Sequence, residues 1–187
     1  MFSNIIDKYY PHGSIIRDIF MRHSSQVAAK ALAVAQNCHL DLDAVEIETA
    51  AMLHDIGICF THAPSIGCNG TEPYICHGIL GAQLLRQEHI PEIYARVAER
   101  HTGAGLTIDD IIDQQLPLPH VDLLPETLLE RLICYADKFY SKSGDMNEKD
   151  IKSVRRSMQR HGQATYQRWL ALEQEFGNLY NPCHKSH

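Results

Sequence analysis

The sequence lacks a hydrophobic run long enough to cross a membrane, and it lacks the features of a secretion signal. A transmembrane helix needs about 20 consecutive apolar residues, and no stretch of the 187 residues reaches that length. The first eight residues, Met-Phe-Ser-Asn-Ile-Ile-Asp-Lys, carry an acid early and have neither a basic start nor a small-residue cleavage site. We therefore expect a cytoplasmic protein that has no membrane partner.

Closely spaced cysteine pairs are also missing. The six cysteines have irregular spacing, lie mostly in apolar segments and include no Cys-x-x-Cys pair. This pattern is typical of reduced thiols in a protein core rather than of a disulfide framework. Cys59, His62, Cys68 and Cys76 offer an alternative interpretation as a zinc site. Their spacing favours incidental thiols, because structural zinc sites normally contain a close ligand pair.

Basic residues are fewer than acidic ones. The chain has 17 lysines and arginines against 23 acidic residues, which gives a formal net charge of −6. This balance argues against a general nucleic-acid-binding protein but still allows a local basic pocket. The hydrophobic fraction of 44% and the charged fraction of 21% are ordinary for a globular protein. The length suits a single domain with a substantial core.

The alternating pattern of a β-strand is absent, and so is any internal repeat. Apolar residues instead recur every three or four positions, which predicts one all-α domain. We expect its core over about residues 11–143, a helical extension over 148–176 that is weak at Gly162, and a frayed tail over 178–187. The predicted helical segments are 11–22, 23–36, 43–57, 77–88, 91–101, 107–115, 125–140 and 148–176, and the longest irregular stretch is 57–73.

The helix that Asp43 opens ends with two ionisable side chains, His54 and Asp55. Val45 and the apolar residues after it predict that this helix runs through the core, and Gly57 is expected to end it in the left-handed conformation. Two unpaired ionisable groups cost several kcal/mol when buried, and a cation at the negative end of the helix dipole would offset that cost. For this pair alone, a neutral core histidine beside a capping aspartate is an equally good interpretation.

Four further ionisable side chains share a helix face with apolar residues, and they are His23, His77, His101 and Asp137. Each one alone is more often a satisfied core residue than a ligand. Together with His54 and Asp55 they indicate a metal centre, because neutral imidazoles and carboxylates suit divalent transition metals. Six ligands exceed one tetrahedral site and suit two metal ions about 3.5–4 Å apart with a bridging carboxylate.

The order of these residues resembles that of the HD superfamily, in its HDIG subgroup, for which His54-Asp55-Ile56-Gly57 is the signature. The contexts Cys76-His77-Gly78 and Arg100-His101-Thr102-Gly103 strengthen the resemblance, which covers about residues 11–143. The extra histidines are similar to the two-metal branch, which includes HD-GYP cyclic-dinucleotide phosphodiesterases and dinucleoside tetraphosphatases. The chain lacks the Gly-Tyr-Pro element and carries Ile58 and Thr102 where HD-GYP members have a lysine and a second histidine. Its motif context is closer to tetraphosphatase-like and uncharacterised small HDIG proteins.

The resemblance implies a helical bundle with a metal site between core helices and one or two divalent ions as cofactors. Iron or manganese is favoured, and zinc, nickel and magnesium are alternatives. By the same resemblance, one ion is held by His23, His54, Asp55 and Asp137, and Asp55 bridges to a second ion on His77 and His101. His54 and Asp55 are also the expected catalytic residues.

The implied activity is hydrolysis of a phosphoester or phosphoanhydride bond by a metal-activated water, with a nucleotide or another small phosphorylated metabolite as substrate. Arg100, Lys138, His62 and Thr102 are the expected substrate contacts, and Arg86 and Lys142 are further available donors. The loop over 57–73 is expected to cover the site through Thr61 and His62, although a plain connector is an equal alternative. A di-iron oxygenase and a non-catalytic regulatory module are the competing functions. The sequence does not indicate an oligomeric state.

Overall fold

Helices make up most of residues 2–177, which are the residues that the structure, a computed structural model, describes. The nine helices of these residues are α1 (Ser3–Tyr9), α2 (Ile15–Asn37), α3 (Ala44–Leu53), α4 (His77–Gln87), α5 (Glu92–Arg100), α6 (Ile108–Asp113), α7 (Leu128–Asp137), α8 (Ile151–Arg160) and α9 (Gln163–Phe176). The predicted all-α fold is confirmed. The frayed tail predicted over 178–187 lies outside the described residues.

Several helix boundaries differ from the predicted ones. The predicted segments 11–22 and 23–36 form one continuous helix, α2, because residues 15–37 contain neither proline nor glycine. Helix α7 begins after Thr127 rather than at Pro125, since Thr127 and Glu130 form a capping box there. The predicted weakness at Gly162 is confirmed, because this residue has φ +103° and separates α8 from α9.

The end of α3 corrects two expectations. The helix stops at Leu53, and a 3-10 helix over Ile56–Phe60 follows it, so Gly57 does not cap α3 in the left-handed conformation. A Cβ atom on Gly57 would lie 2.2 Å from the backbone oxygen of His77, because α4 packs directly against this turn. Val45 is 67% exposed instead of buried, because it lies in the first turn, before the part of α3 that enters the core.

The segment predicted as an irregular loop contains a minimal hairpin. Strands β1 (His62–Ala63) and β2 (Cys68–Asn69) pair antiparallel, and a short 3-10 helix over Pro64–Ile66 connects them. Thr61 is buried before β1, and its hydroxyl donates a hydrogen bond to the oxygen of Ile58 at 2.7 Å. The hairpin therefore has its own backbone pairing, and it leaves Thr61 turned into the protein.

Helix packing brings several helix ends to the same interior region. Helix α2 packs against α3 and α7, whereas α4 packs against α5 and the 3-10 helix that follows α3. The C-terminal helix α9 packs on α7 through Trp169, whose ring stacks on that of Tyr135 with a centroid separation of 5.2 Å. Both rings are fully buried, so the C-terminal helices are anchored to the helix that ends at Asp137.

The structure also describes the apolar character of the helices and the state of the cysteines. None of the helices in residues 2–177 combines the length and the apolar character needed to cross a bilayer. The cysteines of the described residues are free thiols, and they are Cys38, Cys59, Cys68, Cys76 and Cys134.

The packing at Gly57 predicts a large effect of a single methyl group. Gly57→Ala should lower the free energy of unfolding by about 3 kcal/mol or more, because the new Cβ atom would overlap backbone atoms of α4. Gly144→Ala is the matched control, since Gly144 has φ +75° and open space around it, and should cost only about 1–2 kcal/mol. Urea denaturation monitored by circular dichroism measures both values. A loss at Gly57 no larger than the loss at Gly144 would contradict the packing argument.

Candidate metal centre

The six ionisable residues singled out in the sequence meet in the protein interior. They are His23 on α2, His54 and Asp55 directly after α3, His77 at the start of α4, His101 directly after α5 and Asp137 at the end of α7. Each is at most 7% exposed. Five of them lie at helix ends, where the chain changes direction, and His23 projects from the body of α2. The predicted convergence of distant helices is therefore present in the fold.

The potential ligand atoms fall into two groups that share Asp55. The first group consists of His23, His54, Asp55 and Asp137, and the second consists of Asp55, His77 and His101. Within each group all ligand atoms lie within 4.8 Å of one another. This grouping is the one expected of two neighbouring metal ions joined by a bridging carboxylate.

The two carboxylate oxygens of Asp55 face different histidines. Oδ2 lies 3.1 Å from Nε2 of His23 and 3.0 Å from Nε2 of His54. Oδ1 lies 3.4 Å from Nε2 of both His77 and His101. One oxygen therefore belongs to each group, which is the arrangement of a bridging ligand.

Backbone carbonyl groups fix the orientation of three imidazole rings. Nδ1 of His54 donates to the oxygen of Ala51 at 2.6 Å, and His77 and His101 make equivalent bonds of 2.7 Å to residues three positions earlier. Because a carbonyl oxygen can only accept, Nδ1 of each ring carries a proton, which leaves Nε2 as the nitrogen that can bind a metal. Metal-binding histidines are commonly oriented by such a bond from their second nitrogen.

The second group brings two lone pairs together. Nε2 of His77 lies 3.1 Å from Nε2 of His101, although both rings use Nδ1 as their donor. A proton or another cation must lie there to make this approach favourable. Burial lowers the pKa of both rings. The charge of Asp55 opposes this effect, yet the pKa of His77 still falls to about 3, so a shared proton is disfavoured. A metal ion would satisfy both nitrogens.

The first group holds concentrated negative charge. Burial alone would lower the pKa of His54, but Asp55 and Asp137 outweigh it and raise the pKa to about 9. Burial opposes ionisation of the two carboxyl groups, yet the adjacent positive charges keep the pKa of Asp55 and of Asp137 well below its usual range. Both carboxylates therefore remain ionised and favour a cation between them.

Several buried atoms of the cluster make no hydrogen bond to any described residue: Nε2 of His23, Nε2 of His54 and Oδ1 of Asp55. Buried polar atoms normally have a partner, so an orphaned set pointing at one region requires an explanation. Mixed imidazole and carboxylate donors suit divalent ions such as iron, manganese, nickel and zinc. The chemistry of the donor set therefore fits divalent metal binding.

Two lysines lie beside the carboxylates. Nζ of Lys142 is 2.5 Å from Oδ2 of Asp55, and Nζ of Lys138 is 2.6 Å from Oδ2 of Asp137. Burial would lower the pKa of Lys142, but the charge of Asp55 raises it above its usual value. Lys142 lies closer to the polar cluster than its position in the sequence suggests. It follows the end of α7, where helical periodicity no longer predicts the direction of a side chain.

A cavity of about 400 Å³ opens beside the first group. We call it the large cavity, because it has about twice the volume of the cavity that borders it at Lys138. Asp137, Lys138 and Lys142 line it, and from the hairpin region it receives Ala63, Ser65 and Ile66. The loop over 57–73 therefore reaches the cavity, but through residues other than Thr61 and His62.

The expected substrate contacts occupy different positions. Lys138 lines the large cavity, and Thr102 lines a neighbouring cavity of about 200 Å³ that Lys138 also borders. Nη1 of Arg100 donates to the oxygen of Leu124 at 2.8 Å and pairs with Glu126. His62 is exposed on β1, outside both cavities. Substrate binding by these residues stays a prediction, and Arg100 and His62 have no contact here that supports it.

Comparison with known proteins identifies the family. The family model described as "HD domain" matches residues 20–142, a range that includes all six clustered residues. The chain belongs to the HD-domain family. The predicted family and the predicted position of its polar cluster between core helices are thereby confirmed.

Curated relatives of this HD-domain protein include an uncharacterized protein of Methanocaldococcus jannaschii, which is 32% identical over 83% of this chain and 84% of its own length. The tRNA (cytidine(56)-2'-O)-methyltransferase of Picrophilus torridus is 34% identical over 72% of this chain. That match covers only 35% of the methyltransferase, and the match to the corresponding enzyme of Thermoplasma volcanium also covers 35%. The chain thus spans about a third of these two relatives.

Two solved structures share the fold. The HD domain of the phosphodiesterase PgpH from L. monocytogenes matches with a TM-score of 0.52 at 16% sequence identity, over 91% of this chain and 99% of that one. The same domain in complex with cyclic-di-AMP also matches with a TM-score of 0.52, over 92% of this chain and 98% of that one. At this level of identity the comparison establishes the HD fold.

The shared carboxylate predicts how metal content responds to substitution. Asp55→Ala should abolish binding of both ions, whereas His77→Ala should remove only the ion of the second group. His120→Ala is the control, because His120 is exposed and outside both groups. Elemental analysis after loading with Mn²⁺ or Fe²⁺ gives the number of ions per chain. Equal metal content in Asp55→Ala and the unsubstituted protein would exclude the shared site.

Proposed function

We propose that the protein is a metal-dependent phosphohydrolase that acts on a nucleotide or another small phosphorylated metabolite. The observation that carries this proposal is the position of Asp55, whose two oxygens each belong to a different group of ligand atoms. Two divalent ions bound there would supply an activated water as nucleophile and would neutralise phosphoryl oxygens. His23, His54, Asp55 and Asp137 would hold one ion, and His77 and His101 with Asp55 would hold the other.

The residues around the centre suit an anionic substrate. Lys138 and Lys142 each contact a carboxylate of the cluster and also line the large cavity. Their ammonium groups therefore lie at the boundary between the cluster and the cavity, each beside one carboxylate. A phosphate that enters this cavity meets two positive charges before it reaches the carboxylates. Such fixed charges favour a phosphoryl group both on binding and as negative charge develops during the reaction.

Backbone groups hold the cluster in a fixed geometry. The carbonyl oxygens that accept from Nδ1 of His54, His77 and His101 belong to the turns that precede each ring. The imidazoles thus cannot rotate without losing a buried hydrogen bond, which costs about 1–3 kcal/mol for each group left unsatisfied. The three rings are therefore already oriented for metal binding, so their side chains would need little rearrangement.

Similarity to named proteins supports a nucleotide as substrate class. The matching PgpH domain is a phosphodiesterase, and one of its structures contains cyclic-di-AMP. Two relatives are named as tRNA methyltransferases, over about a third of their length. A substrate screen for this chain should therefore include nucleotides, dinucleotides and tRNA.

The competing functions differ in the chemistry that they require. A di-iron oxygenase could use the same ligands, but the lysines that line the large cavity favour an anionic phosphate. A regulatory module without catalysis would have no need for six buried polar groups whose lone pairs converge. We therefore favour hydrolysis over both alternatives.

The proposal predicts metal-dependent phosphate release. Protein stripped by a chelator should be inactive, and Mn²⁺ or Fe²⁺ should restore activity toward at least one member of the screen. Asp55→Asn should lower the rate roughly a thousandfold, because it weakens both metal sites. A colorimetric phosphate assay measures the rate, with a phosphatase added to reveal phosphodiester cleavage.

His120→Ala should behave like the unsubstituted protein in this assay, because His120 is exposed and lies outside the cluster and both cavities. This control separates loss of the metal centre from general damage. An oxygen electrode tests the main alternative with the same iron-loaded samples. Substrate-dependent oxygen uptake without phosphate release would replace the hydrolase proposal with the oxygenase. A folded, metal-free protein after loading would instead favour the regulatory module.

A further inference from the structure

Positive charge is concentrated in one segment of an otherwise acidic chain. Residues 138–160 contain seven lysines and arginines but only three acidic residues, although the net charge of the whole chain is −6. The segment runs from the end of α7 through the following turn and along α8. Three of its lysines, Lys138, Lys142 and Lys149, line the large cavity beside the metal centre.

Lys149 differs from the other two lysines because it has no acidic partner among residues 2–177. Its Nζ donates to the backbone oxygens of Tyr140 at 3.3 Å and Lys138 at 3.5 Å, and no described carboxylate lies within ion-pair distance of it. Burial and the neighbouring charges of Lys138, Lys142 and Arg160 lower the pKa of Lys149, although Asp137 opposes them. A half-buried ammonium group among other cations is unfavourable unless it meets an anion.

Hydroxyl groups surround the same space. Ser65, Ser141, Ser143 and Ser157 line the cavity, and none of their hydroxyls has a carboxylate partner among the described residues. Hydroxyl donors and lysines together form the usual surroundings of a bound phosphate. Ser157 lies on α8, so the far wall of the cavity comes from the C-terminal helices.

This wall lies outside the region that the HD family model covers. The family match ends at residue 142, whereas Lys149 and Ser157 follow it in the chain. The stacking of Trp169 on Tyr135 anchors the C-terminal helices to α7. The extension is thus fixed beside the metal centre by buried aromatic contacts, and it adds a charged wall to the cavity.

We propose that Lys149, together with Ser157, forms a second phosphate subsite, so that the preferred substrates carry at least two linked phosphates. One phosphate would lie at the metal centre near Lys138 and Lys142, and the next would lie in the cavity against Lys149. Only the position of the first phosphate rests on the proposed function. The substrate class is therefore a nucleotide with a phosphoanhydride chain rather than a simple phosphomonoester.

Inorganic anions test this subsite without knowledge of the natural substrate. Pyrophosphate and phosphate are titrated separately into the metal-loaded full-length protein by isothermal titration calorimetry. Pyrophosphate should bind at least about tenfold more tightly, because the second phosphate gains a charge-assisted bond to Lys149. Lys149→Ala should weaken pyrophosphate binding by about tenfold and leave phosphate binding nearly unchanged.

Two further variants exclude trivial explanations. Lys149→Gln removes the charge but keeps a donor for the backbone oxygens of Lys138 and Tyr140, so it addresses a structural role of the side chain. Lys152→Ala is the matched control, because Lys152 is exposed on α8 and lies outside the cavity. The Lys149→Gln variant should reproduce the selective loss, and Lys152→Ala should not. Circular dichroism and metal content verify that each variant is folded and loaded.

The outcomes separate this subsite from the proposed function. Selective loss of pyrophosphate binding in both Lys149 variants supports the subsite, even if the phosphate-release screen finds no hydrolysis. Equal weakening of both anions, or no weakening, overturns it while leaving the hydrolase proposal intact. Absence of any metal-dependent phosphate or pyrophosphate binding overturns both.

Discussion

The polar cluster depends on one buried carboxylate, that of Asp55, whose two oxygens contact different histidines. Asp55 is inaccessible to solvent, and burial strongly disfavours its charge. It remains ionised because histidines and a lysine surround it. Removing one of these neighbours would leave the buried charge less well compensated. The cluster is therefore a set of mutually dependent groups, and its members derive from helices that are far apart in the chain.

The turn after α3 determines where those groups can meet. Gly57 follows Asp55 by two residues, and the absence of a side chain lets the backbone of α4 approach within van der Waals contact. Helix α4 begins at His77, so this approach also sets the position of the second group of potential ligand atoms. Gly81 makes the reciprocal approach from α4. Two glycines thus control the distance between the two halves of the centre.

Sequence patterns predict the helical class and the identity of the clustered residues, but not every helix boundary. His23, His101 and Asp137 share helix faces with apolar residues, and this periodicity is local information that the chain carries by itself. The signature His54-Asp55-Ile56-Gly57 added the family. The structure differs at two helix boundaries: α2 is continuous because it contains no proline or glycine, and α7 begins at the capping box of Thr127 and Glu130 rather than at Pro125.

Tertiary structure alone decided which side chains from outside the helices lie beside the polar cluster. Lys142 and Lys149 lie after the end of α7, where no periodic pattern relates a residue to a face of the fold, yet both reach the cavity. Conversely, Arg100 adjoins a clustered histidine in sequence but is bound to Leu124 and Glu126. The sequence by itself determined the helical class, the family and the buried polar set, since these follow from local spacing. The contacts of side chains in loops depend on how the helices pack in three dimensions. The spacing of residues along the chain does not give the distances between packed helices.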